Sequence, residues 1–169
     1  MTVAAVYVSG QVIRYHANPA MAHLGQTNAD HQGRCVQLLF AFHPGPSVAL
    51  IRAVAHHDVA ERRVGDLPSY FKEAHPELAA AHANLERESL AADLGFDPFA
   101  KLVLQEFRWL HLIDRLEAYA FMCLRVPLES KGNDWKKSRA KLLAMAAEID
   151  LDLMVRVQDF ISDMEHRAW

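Results

Sequence analysis

From Thr27 onward the sequence is a succession of apolar stripes at helical spacing, punctuated by HPGP at 43–46, VGDLP at 64–68, GFDP at 95–98 and SKGND at 130–134. A chain with that period buries its apolar residues by packing helix on helix. Thr27 and Asp30 stand at capping-box spacing, with Asp in place of the usual Glu or Gln, and open a helix to about Phe42. Ser47 is the expected N-cap of a second helix reaching about Glu61. Pro76 opens a third that ends near Gly95, and Asp97-Pro98 reads as a cap and first-turn proline for a long fourth helix to about Arg125. Two more follow, from Trp135 to about Ile149 and from Leu151 to Glu165. Only VAAVYVSGQVIRYH, at 3–16, departs from this period: two short β-branched and aromatic runs around Ser9-Gly10 predict a hairpin. The expectation is an all-α bundle with a small N-terminal β-hairpin, forming one domain over residues 1–169.

Composition narrows the function classes. With 51% hydrophobic and 23% charged residues the chain has the make-up of a soluble globular protein, and a net charge of −3 offers no basic field to a nucleic-acid polymer. No run approaches the ~18 apolar residues of a membrane span, and the N-terminus lacks the pattern of a signal peptide. Cys35 and Cys123 lie on expected helices without CxxC spacing, so a zinc ribbon or a secreted disulfide framework is not indicated and a cytoplasmic location is expected.

The stripes carry polar side chains where apolar ones are expected. Leu50, Ile51, Val54, His57, Asp58 and Glu61 share a face of the second helix. His31 shares one with Cys35, Leu38, Leu39 and Phe42, and Asp114 falls in register with Val103, Phe107, Leu110, Glu117 and Phe121. Two imidazoles and two carboxylates directed at one interior call for a compensating cation, because an unpaired buried carboxylate is costly. On spacing alone, satisfied core histidines and a chance His-Asp pair account for the same pattern.

A histidine on one helix, a His-Asp doublet on the next and a distant aspartate resemble the HD-domain phosphohydrolases. Locally the chain is similar to their 5′-deoxynucleotidase branch and to related phage deoxynucleoside triphosphohydrolases. Arg14-Tyr15 resembles their opening Arg-aromatic pair, and NADH at 28–31 the segment before the first ligand. HDVAERRVGDLPSYFK at 57–72 resembles their His-Asp-x-x-Glu, Gly-Asp-hydrophobic-Pro and lysine, and IDRLEAY at 113–119 the segment of the last ligand. Two departures stand out: Tyr70 occupies the place of a second proline, and the expected hairpin replaces a helix found in some relatives.

The resemblance implies that His31, His57, Asp58 and Asp114 hold one divalent ion, which their donor types allow to be zinc, cobalt, manganese or iron. It places Glu61 as general acid or base. Asp66 would accept from a sugar hydroxyl or orient water, Arg14 and Lys72 would hold phosphate, and Tyr15 and Tyr70 would stack on a base. The implied reaction is hydrolysis of the 5′ phosphate ester of a small deoxynucleotide. The alternatives are release of tripolyphosphate from a dATP-like triphosphate and a non-catalytic nucleotide-sensing or metal-stabilised module. The expected partners are the nucleotide and a second copy of the chain.

Overall fold

The computed structural model describes residues 3–16, 18, 21–127 and 132–167, with the side chains of Ser69 and Tyr70 left aside. The described residues are helical and contain no strand: α1 (Val3–Ser9), α2 (Asn28–Phe42), α3 (Val48–His56), α4 (Glu61–Val64), α5 (Ser69–Ala74), α6 (Pro76–Leu94), α7 (Leu104–Arg125), α8 (Asn133–Ile149) and α9 (Leu151–His166), with a 3₁₀ turn at Ala22–Leu24. None of these helices is long and apolar enough to cross a membrane.

The expected hairpin is not formed. Its first half is α1, which packs the half-buried Val6 against Val59, Ala60, Leu90 and Leu94. Its second half finds a partner further along the chain: the Arg14 N–H donates to Gln26 O (2.9 Å), Asn28 N–H to Val12 O (2.9 Å) and Ala29 N–H to Gly10 O (3.1 Å), leaving one isolated antiparallel bridge between Ile13 and Thr27. A lone two-stranded hairpin is marginal in water, whereas α1 gains apolar contacts with α6. Gly10 permits the close pairing, since a Cβ there would lie 3.0 Å from the Cβ of Ala29.

The chain divides into two compact units, Met1–Gly33 with Ala55–Lys101, and Arg34–Val54 with Leu102–Trp169. In the first, α6 is the scaffold, with Leu90 and Leu94 against Val59 and Ala60 and with Val64 and Phe99 at the margin. Gly95 ends α6 in the left-handed conformation, as expected of a glycine after the last helical turn.

In the second unit α7 is central. Leu112, Ile113, Leu116, Leu142, Ala146, Val157 and Ile161, from α7, α8 and α9, are buried. Asp150 alone separates α8 from α9 and caps the latter, accepting from the Asp152 N–H. The Arg156 guanidinium donates to Phe42 O (3.1 Å) and Ala41 O (2.9 Å), satisfying carbonyls at the end of α2. Tyr119 donates to Glu165 (2.6 Å), which Arg139 approaches at 3.3 Å. Burial and the Glu165 carboxylate push the Tyr119 phenol well above its ordinary range.

Several boundaries follow local chemistry. Thr27 Oγ1 accepts from the Asp30 N–H (3.2 Å), and Ser47 Oγ accepts from the Leu50 N–H (3.0 Å). Two expectations fail. The second helix stops at His56 and not near Glu61, and α7 starts at Leu104 and not at Pro98. Asp97 uses its carboxylate to accept from the Phe99 N–H (2.8 Å), closing a local turn, and the Val103 N–H is instead capped by Glu106 (3.0 Å).

Candidate functional site

Thr27 starts α2 so that Asn28, His31 and Gln32 fall on its first two turns, all three buried. After α3 the chain turns tightly through 57–60, with the Val59 N–H donating to His56 O (3.1 Å) and the Glu61 N–H to Asp58 O (3.1 Å). Two buried amides of α2 grip that turn. Asn28 Nδ2 donates to Asp58 O (3.1 Å), and Gln32, oriented to donate to Ala55 O (3.2 Å), accepts from the Asp58 N–H (3.2 Å).

The result is a cluster of donors within the first unit. His31 Nε2, fully buried, lies 3.2 Å from His57 Nε2. His31 Nε2 is 3.5 Å from Asp58 Oδ2, and His57 Nε2 is 3.4 Å from Asp58 Oδ1. Donors each about 2.1 Å from a common cation are separated by roughly 3–3.5 Å, so these edges fit a divalent metal with imidazole and carboxylate ligands. Cys35 follows His31 by one turn on α2, and His31, Cys35 and His57 form a group that could hold a metal ion. The expected ligand set omitted Cys35, although its spacing of four from His31 puts the two on one helix face. Asp114 stands half-buried on α7, in the second unit.

Glu61 does not share a continuous helix with His57, as the expected stripe required; it opens the separate helix α4. It is held through space, with Asn28 Nδ2 donating to Glu61 Oε2 (2.8 Å). Burial, reinforced by the charges of Asp58 and Asp66, pushes the Glu61 carboxyl up to about 8 against the opposing pull of Arg14 and Asn28. Its neighbours Arg62 and Arg63 turn away to Asp93. Asn28 Oδ1 is buried without a hydrogen-bond partner, so the site holds a costly open acceptor that a bound donor or cation would satisfy. Asn28 and Gln32 carry no ligand signature in the sequence.

The expected phosphate and sugar contacts fall in the same unit. Arg14 Nη1 donates to Asp58 Oδ2 (2.7 Å), so in this structure it neutralises a carboxylate of the donor cluster. Its guanidinium carbon lies 5.3 Å from the centroid of the Tyr15 ring, and Tyr15 itself has φ 59°, a left-handed conformation that costs a side-chain-bearing residue about 1 kcal/mol. Lys72 on α5 lies 3.9 Å from Asp66. Burial pushes the Asp66 carboxyl up, opposed by Lys72 and Arg14. The Tyr70 side chain lies outside the described residues.

The raised Glu61 carboxyl has a measurable consequence for the metal-free protein. Because the folded state holds this proton more tightly than the unfolded chain, the group favours folding below about pH 4.5 and that contribution is lost as pH rises toward about 8. Glu61→Gln is therefore expected to stabilise the metal-free protein, by of order 1–3 kcal/mol at pH 8 and by little at pH 4. Urea unfolding at the two pH values checks this, and an equal effect at both would contradict the burial of the charge.

Compared with known protein families, with characterised proteins and with solved structures, the chain finds no match.

Proposed function

We propose that the protein is a metal-dependent phosphohydrolase that cleaves the 5′ phosphate ester of small deoxynucleotides. The observation that supports this most is the meeting of His31, His57 and Asp58 at 3.2–3.5 Å, with Glu61 tied to the same turn through Asn28. A bound divalent ion supplies Lewis acidity toward the phosphoryl oxygen and a water that ionises near neutral pH. Glu61, held by Asn28, would take up and return the proton that the hydrolysis moves. Arg14 shifts from Asp58 to the substrate phosphate and Lys72 adds a second positive charge, while Tyr15 and Tyr70 stack on the base and Asp66 takes a sugar hydroxyl. The same machinery would serve a triphosphate substrate with tripolyphosphate as the product, and the working form is taken to be a homo-oligomer.

A panel of deoxynucleoside mono-, di- and triphosphates incubated with metal-loaded protein, with products resolved by chromatography, tests the reading. Release of deoxynucleoside with orthophosphate is the expected outcome. Purified protein should carry about one divalent ion per chain by elemental analysis, and His57→Ala should lose both ion and activity. Full activity in that variant would remove the mechanism.

Cys35 favours a second reading, a structural metal site, since thiolate donors are typical of structural zinc. In that case chelation lowers the melting temperature and no nucleotide turns over.

A further inference from the structure

α4 is a single helical turn, too short to keep its shape without tertiary support, yet it opens with Glu61 and hands the chain to Gly65 and Asp66. Support comes from one face of α6. Near the end of that helix, Asp93 receives Arg62 and Arg63. Nearer its start, His82 Nε2 lies 3.1 Å from Gly65 O and 3.3 Å from Val64 O. With two carbonyl oxygens around it, Nε2 carries the proton and donates. Nδ1 lies 3.3 Å from Glu86 Oε1, one turn along α6. Glu86 is a half-buried carboxyl that also feels Lys72, Asp58 and Asp66, so the His82–Glu86 pair borders the candidate site. Gly65 has φ 75°, a conformation open to glycine, and from it the chain runs through Asp66 to α5 and Lys72.

We infer that His82 is a positioning residue: by capping the carbonyls of Val64 and Gly65 it holds α4 and the 65–68 loop, and with them Glu61 and Asp66, in their places beside the His57-Asp58 turn. His82 acts through the backbone carbonyls of Val64 and Gly65. The catalytic half of this inference rests on the hydrolase reading given above; the mechanical half does not.

The test compares full-length wild type with His82→Gln, whose amide reaches the place of Nε2, and His82→Leu, which keeps bulk without a donor. His82→Asn, too short to reach Gly65, stands in if the leucine variant fails to fold. Hydrogen exchange of the Gly65 amide reports on the strap directly, since that N–H donates to Glu61 O (2.8 Å). Loss of the cap is expected to speed its exchange about tenfold in the leucine or asparagine variant, with glutamine restoring most of the protection. Equal exchange in all variants overturns the inference. In parallel, kcat for dAMP and dTMP should fall about tenfold with KM and metal content nearly unchanged, and glutamine should rescue it. A loosened loop with unaltered kcat overturns the positioning role. If wild type hydrolyses neither nucleotide while exchange responds as expected, the strap stands and the hydrolase reading falls.

Discussion

Glu61→Gln is expected to keep its metal and lose about 10²- to 10⁴-fold in turnover, the usual span for removing acid–base assistance. The substitution preserves shape and the ability to accept from Asn28 Nδ2, so the 57–60 turn that presents His57 and Asp58 should be undisturbed. Only the capacity to exchange a proton is removed. Metal analysis alongside single-turnover kinetics separates the roles. Retained metal with lost turnover supports Glu61 as acid or base, whereas lost metal would make it a ligand. Unchanged turnover would show that this carboxylate only fills space. Glu61→Gln is also the variant expected to stabilise the metal-free protein at pH 8, so loss of turnover through unfolding is the opposite of what is expected.

The largest expected effect on stability lies at Asp93. Its side chain is 2% exposed and receives Arg62 Nε at 2.9 Å and Arg63 Nη2 at 2.6 Å. Removing one partner of a buried ion pair leaves the other partner's charge unsatisfied, at about 3–5 kcal/mol when both are fully buried. Arg62 and Arg63 are partly solvated, so Asp93→Asn should cost about 2–3 kcal/mol, or roughly 5–10 °C in melting temperature. Hydrogen bonds from Arg63, assisted by those from Arg62, hold the Asp93 carboxyl down at about 2 against the opposing effect of burial. A depressed carboxyl contributes stability above its unfolded value, near 3.8, that disappears as pH falls through about 2. The gap between wild type and Asp93→Asn should thus be full at pH 6 and close toward pH 2. A gap that persists at pH 2 would mean that the variant fails through packing and not through charge.

The two substitutions probe the two ends of one arrangement. α4 has Glu61 at its start and the arginines behind it, and α6 holds the arginines through Asp93. Weakening Asp93 is therefore expected to release α4 as a whole, whereas Glu61→Gln leaves it in place.

Much of this protein was legible from sequence because helix starts are local events. Thr27 and Ser47 cap within three residues of themselves, Gly95 ends α6 by its own backbone freedom, and the apolar stripes need only their period to be recognised. His31, His57 and Asp58 were legible as donors by residue type and spacing, and the structure brings them together. The N-terminal segment was not legible: its β-branched residues favour strand, but packing of the half-buried Val6 against α6 outweighs a weak propensity. Nor was the break after His56, where buried Asn28 and Gln32, 23 to 30 residues upstream of the groups they bind, hold the chain in a turn in place of another helical turn. The roles of Asn28, His82 and Asp93 depend on contacts 17 to 33 residues away in the chain. Periodicity records which face of a helix is apolar; it carries no record of which polar group from another helix will meet that face. Local chemistry determined the helices and the donor types, and tertiary packing decided which donors converge and which residues hold them there.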